Sequence, residues 1–136
     1  MPKLDRDISL DELNLSLSKC KSNKAPAEDK IPSEFFQNLP NYWRLYLNVP
    51  YNKIICEGNI PVSWNEILVN MLNEKGDPAD PNNYRPIALI NTSVKIFTRI
   101  LNERILDWCR GDNKLPEFQA DFRRDKECLN NIFTWG

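Results

Sequence analysis

The sequence predicts a helix-dominated α+β domain with about five helices and one small antiparallel β-hairpin. Three observations carry this reading. Apolar residues recur at helical spacing in several segments, which marks helices with one buried face. Two short extended runs, 66–72 and 84–90, flank a charged, turn-rich loop and can pair as a hairpin. The chain has 136 residues, 41% hydrophobic and 27% charged, enough for one core and ordinary for a globular protein.

Residues 1–7 are polar and expected to be disordered, with a single domain over 8–136. A helix starts at Ile8-Ser-Leu-Asp-Glu-Leu13. Ser9 and Glu12 form a capping box, and Ile8 and Leu13 hold the staple positions. Leu10, Leu13, Leu17 and Cys20 give it an apolar face, and it should end near Lys21 to Asn23, before Pro26. The loop KAPAEDK follows, and Pro32 opens a short helix. A longer helix runs from about Trp43 to Cys56. Pro50 should bend or break it near Val49 to Tyr51. Phe35, Phe36, Tyr42, Trp43, Leu45, Tyr46 and Tyr51 form an aromatic-rich cluster suited to core packing, with base stacking as the alternative.

GNIPVSW, 58–64, reads as a turn with an anchoring Trp64, and the hairpin follows. Asn91 or Thr92 can cap a helix over about 93–109. Phe97, Ile100, Leu101, Ile105 and Trp108 form its apolar set, while Lys95, Arg99, Glu103 and Asp107 step along a solvated face. A last helix should begin near Asp125 and include Cys128, Leu129, Ile132 and Phe133.

Net charge is −1, so no bulk basic field points to nucleic acid. Any such binding needs a local patch. One candidate comprises Arg99, Arg104, Arg110, Lys114, Arg123, Arg124 and Lys126, diluted by Asp121, Asp125 and Glu127. Four cysteines, no CxxC pair and no histidine exclude a common zinc site. Cys20 and Cys56 are expected in or near the core. No apolar run approaches the ~20 residues of a membrane span, and no secretory signal is present. The reading is intracellular, nuclear or cytoplasmic, without a membrane partner and with reduced thiols.

Arg85 precedes Pro86, which pushes its backbone into extended geometry. The guanidinium is thus carried on strand-like chain beside a loop, where its planar fork suits a phosphate. The same spacing also fits an ordinary solvated arginine.

Four segments, in order, resemble one family. KGDPADPNNYRPIALINTSVKIFTRILNERI, starting at Lys75, is similar to the fingers region of reverse transcriptases from non-LTR retrotransposons, with its KKGD, NYRPISL and following helix. KAPAEDKIPSEFF, 24–36, resembles the family's KAPGPDGIPxEF, and GNIPVSW resembles its GxIPxxW. LPEFQADFRRDKECLNNIFT, 115–134, resembles a segment containing QxGFR and DNIFT. Together they cover roughly 8–135, nearly the whole chain.

The resemblance implies the fold of a fingers region and a parent activity of RNA-directed DNA polymerase. It implies that Arg85 contacts an incoming triphosphate with Lys75 assisting, and that Gln119, Arg123 and Arg124 lie near the template. Polymerisation needs two divalent metals on carboxylates, which the family places in a palm beyond these motifs. The expectation is therefore a truncated chain with no catalytic residue and no cofactor. Mg2+ would come only with a palm. Expected partners are RNA or DNA template, held weakly, or a protein covering surface near Trp108, Phe118, Phe133 and Trp135. A domesticated interaction module and a decayed fragment are the alternatives. Departures from the family bear on all of these. Ala27 and Lys30 stand where it has glycines, as do Asp121 and Asp125, and Glu74 stands where it has lysine.

Overall fold

The Ser9–Glu12 capping box forms, and it sets the entry of the first helix. Ser9 Oγ accepts from Glu12 N at 3.2 Å, and a Glu12 carboxylate oxygen accepts from Ser9 N at 2.9 Å. Ile8 and Leu13 at the staple positions are both buried. The computed structural model describes residues 4–111. Its elements are α1 (Leu10–Ser18), α2 (Ser33–Gln37), α3 (Asn41–Glu57), β1 (Leu68–Asn73), β2 (Tyr84–Leu89) and α4 (Thr92–Gly111). Short 3-10 turns occupy Val62–Asn65 and Pro81–Asn83. The described residues thus form a helix-dominated α+β fold with four α-helices and one two-stranded antiparallel hairpin. The last predicted helix, near Asp125, lies outside the described residues.

α1 sits at the centre, packed against α4, α3 and α2. Leu13 and Leu17 meet Phe36, Tyr51, Ile54, Ile96, Phe97 and Ile100 in one apolar core. Burying a side chain of this size is worth roughly 1.5–3 kcal/mol. Two hydroxyls at the core are paired with backbone. Ser16 Oγ donates to Ile96 O at 3.0 Å, tying α1 to α4. Tyr51 OH donates to Ser93 O at 2.7 Å, tying α3 to α4, and burial raises its phenol pKa. Arg44 gathers the end of α2, donating to Gln37 O and Leu39 O and, across to α1, to Asn14 Oδ1.

Trp64 anchors the chain before the hairpin. Its ring lies 5.4 Å from that of Phe97 and 6.2 Å from that of Tyr51, in a three-ring cluster. The loop KAPAEDK is fixed from both sides. Ala27 is buried, and Asp29 N donates to Asn91 Oδ1 at 3.3 Å, just before α4. Lys30 has φ +57°, the left-handed conformation that glycine adopts freely. The backbone therefore keeps a glycine-type turn at Lys30, one of the two positions where the resembling family has glycine. Ala27, the other, is packed instead.

Several expectations need correction. α1 ends at Ser18, earlier than Lys21 to Asn23. α3 runs through Pro50 as one helix. Proline removes one backbone bond there, but Pro50 is exposed while Asn48, Tyr51 and Ile54 hold both halves against the core. Of the aromatic cluster, only Phe36 and Tyr51 are buried. Phe35 of α2 is exposed, and so are Tyr42, Trp43, Leu45 and Tyr46, because α3 is apolar around most of its circumference and only one side can face α1. Cys56 is exposed. The polar row of α4 is not a free surface either. Arg99 donates to Ser16 O at 2.9 Å, and Glu103 pairs with Lys19, the residue after α1, at 2.9 Å. Ile105 is about half exposed, while Ile96 takes the buried place.

Candidate functional site

The hairpin presents Arg85 at the base of an internally braced loop. β1 and β2 pair in register, with Leu72 opposite Arg85 and Asn73 opposite Tyr84. Glu74 N then donates to Asn83 O at 3.0 Å, so the ladder runs one pair into the loop. Gly76 takes φ +88°, a conformation that favours glycine, and a Cβ there would fall 2.8 Å from Asn83 Nδ2, which would have to shift. Asp77 Oδ1 accepts from Ala79 N, and Asp80 Oδ1 accepts from Asn82 N, each at 2.9 Å. These are Asx turns in which the carboxylates serve their own backbone. Asn83 Nδ2 donates to Asp77 O, and Tyr84 OH donates to Pro78 O.

Arg85 is 70% exposed and lies away from the helical core. Its Nη1 donates to Glu74 Oε1 at 3.0 Å. An exposed pair of this kind is worth at most about 1 kcal/mol. A phosphate could therefore displace Glu74, but against a carboxylate already in place. Lys75 is exposed in the same loop and has no ion-pair partner among the described residues. Lys75 and Arg85 thus share one end of one hairpin. Gln119, Arg123 and Arg124 lie outside the described residues, as do Lys114 and Lys126 of the proposed basic patch.

Two other arginines of that patch have structural tasks, Arg99 on Ser16 O and Arg104. Arg104 is 5% exposed at its side chain. Its Nε donates to Glu12 Oε1 at 2.8 Å and its Nη2 to Glu12 Oε2 at 3.0 Å, a bidentate pair. Nη1 and Nη2 also donate to Leu4 O, Arg6 O and Asp7 O, so residues 4–7 are held at three carbonyls. The Arg104 bonds hold the Glu12 carboxyl down to about pH 2 against an ordinary 4.5, with Ser9 N and Arg6 adding to the effect. Sequence reading found Glu12 only as a capping residue. Its partner is 92 positions away, and no local signal marks it.

A cleft of about 560 Å3 lies between α1 and α4, away from the hairpin. Leu15, Lys19, Arg99, Arg104 and Trp108 line it, and Gly111, where the described residues end, stands at its rim. Its cations are committed to Glu12, Glu103 and Ser16, which leaves a weak case for an anion site. Among the described residues no group of three or more histidine, cysteine or carboxylate side chains converges, so nothing described fits a divalent-metal pair. No helix among them is long and apolar enough to cross a membrane.

No family model matches the chain. Curated relatives do. It is 32% identical over 103 residues to a probable RNA-directed DNA polymerase from transposon X-element of Drosophila melanogaster, a match covering 75% of this chain and 11% of that protein. It is 30% identical over 118 residues to the RNA-directed DNA polymerase from mobile element jockey of the same organism, covering 85% of this chain and 13% of that protein. It is 31% identical over 107 residues to a transposon TX1 uncharacterized 149 kDa protein of Xenopus laevis, covering 76% and 8%. The chain spans roughly a tenth of the length of the curated relatives it matches.

Proposed function

This chain is homologous over most of its length to reverse transcriptases of non-LTR retrotransposons, and from that premise we propose that it is the template- and nucleotide-holding fingers portion of such an enzyme. Residues 8–136 act as one unit that polymerises nothing by itself and binds RNA or template weakly. It works inside the cell, in nucleus or cytoplasm. Mg2+ enters only where a palm supplies carboxylates. The single observation that supports this most is Arg85: exposed, on stiff extended backbone before Pro86, beside Lys75 and a glycine-dependent loop. Glu74 on Arg85 explains why the binding is weak. From the family resemblance we assign template contacts to Gln119, Arg123 and Arg124 as well.

Fluorescence anisotropy with a labelled RNA oligonucleotide tests this. Wild type binds weakly, and affinity falls steeply with salt. Arg85→Ala weakens binding. Glu74→Lys frees Arg85, adds a cation and tightens it. Salt-independent binding, or no response to either substitution, overturns the reading. Primer extension by the purified chain with Mg2+ and nucleotides overturns the non-catalytic part.

A second reading has its own observation. Tyr42, Trp43, Leu45, Tyr46 and Val49 are exposed on α3, and the Tyr42, Trp43 and Tyr46 rings pack on one another. An apolar patch of this kind suits a protein partner in a domesticated interaction module. Such binding would be nearly indifferent to salt and would fail in Trp43→Ala.

A further inference from the structure

The hairpin has two unequal edges. The pair Glu74 and Asn83 is joined through Glu74 N at 3.0 Å. Antiparallel pairs alternate, so Leu72–Arg85, Asn70–Ile87 and Leu68–Leu89 are the hydrogen-bonded pairs. Val69, Met71 and Asn73 therefore turn their N–H and C=O groups away from β2. Pro86 lies opposite Met71, a pair that needs no donor from it, which agrees with this assignment.

The same alternation turns Tyr84, Pro86 and Ala88 outward on β2. Pro86 removes the central donor from that edge, so it cannot accept a regular strand. The β1 edge has every donor and acceptor, no proline and no charge over Leu68-Val-Asn-Met-Leu-Asn73. Among the described residues no third strand covers it. Both faces of the hairpin also remain apolar in water. Val69, Met71 and Leu72 are each more than half exposed, and Leu68 and Ile87 are exposed as well. Strand edges of this kind are usually blocked by lysine or proline, and here only β2 is blocked.

We propose that the open edge of β1 pairs with β1 of a second copy, antiparallel, on a two-fold axis through Asn70. The strand is chemically palindromic about that residue. Leu68 faces Leu72 of the second copy, Val69 faces Met71, and Asn70 faces Asn70. Val69 and Met71 carry the outward N–H and C=O groups, so this register places them in hydrogen-bonded pairs and leaves Asn70 in the close, non-bonded pair. Apolar residues meet apolar residues, the two Asn amides bond to each other, and no like charges oppose. The result is a four-stranded sheet ordered β2-β1-β1-β2. Its outer edges both carry Pro86, so the assembly closes at two copies and does not grow into a filament.

Sedimentation equilibrium on the full chain over a range of concentrations tests this. A reversible monomer–dimer equilibrium is expected. Met71→Pro removes an outward donor without touching the β1–β2 ladder, and it should leave only monomer. Val69→Lys with Met71→Lys sets lysine opposite lysine and should weaken dimerisation roughly tenfold or more, with unchanged helical circular dichroism. Asn70→Cys, in a Cys56→Ser background that removes an exposed thiol, should oxidise to a disulfide-linked dimer. The close pair brings Cα atoms to about 4.5 Å, within disulfide reach. A chain that stays monomeric at every concentration overturns the proposal. So does a dimer that the lysine pair leaves intact. Slow hydrogen exchange at Val69 and Met71 amides in the monomer overturns it too, because the edge is then filled from within the chain.

Discussion

The helical body and the hairpin are stabilised in opposite ways. In the body, Leu13, Leu17, Ile96 and Ile100 are buried, and Ser16, Tyr51 and Arg104 bond across elements. In the hairpin, no residue of either strand is buried, and the strands contact chiefly each other. The tie between the two regions is the ring cluster of Trp64 with Tyr51 and Phe97. Position therefore decides what a side chain does more than its type. Arg104 and Arg85 are both arginines paired with glutamates, at 2.8 and 3.0 Å. One is sealed between helices, and the other stands in solvent.

The arginine pair gives the largest predicted contrast. Arg104→Ala leaves Glu12 partly covered with no bidentate partner and frees the Leu4, Arg6 and Asp7 carbonyls. Removing one side of such a pair costs about 3–5 kcal/mol. Arg85→Ala removes an exposed pair and should change stability by about 0.5 kcal/mol or less. Urea melts of the two variants measure both. Equal losses would break the division between body and hairpin.

Acid sharpens the same division at smaller magnitude. Glu12 titrates at about 2 in the folded chain and near 4.5 when unfolded. Its contribution is complete above the unfolded value and fades as pH falls from about 4.5 towards 2. The Glu12 side chain is largely but not wholly covered, so screening reduces the effect to about 1–2 kcal/mol. Glu12→Gln should flatten this acid limb in melts taken across that range. Glu34, lowered by its bond from Asn23 N, leaves a small residue of pH dependence. An unchanged limb in Glu12→Gln would place the acid sensitivity elsewhere.

How much of this was legible depends on distance along the chain. The capping box was legible because Ser9 and Glu12 are three residues apart and each satisfies the other. The extended backbone at Arg85 followed from Pro86 after it. Arg104 was not legible, since a guanidinium that ends up buried has the same sequence signature as a solvated one. The aromatic cluster misled for a related reason. α3 carries apolar residues on most of its circumference, and periodicity cannot choose which side meets α1. Four tyrosine and tryptophan choices within a few positions look like a core until the neighbour is known.

Lys30 offers a finer test in the loop that joins α1 to α2. Its φ of +57° costs a side-chain-bearing residue about 1 kcal/mol relative to glycine. Lys30→Gly should therefore stabilise the fold by about 0.5–1 kcal/mol in thermal melts, despite the added freedom of the unfolded chain. Asn23, at φ +58°, should gain less from the same change, because asparagine tolerates that conformation.

The smallest expected effect lies back on the hairpin. Leu72→Thr removes apolar atoms from a residue that is about half exposed. Threonine suits a strand, and the Leu72–Arg85 pair keeps its backbone bonds. At dilute concentrations, with β1 unpaired, the change should fall within about 0.5 kcal/mol. At concentrations where copies associate, the same substitution breaks the facing of Leu72 on Leu68 of the second copy, and its cost should rise. A cost that grows with protein concentration assigns Leu72 to an interface. A cost of several kcal/mol at every concentration would mean that the hairpin is buried in the monomer, and the division between body and hairpin would fall.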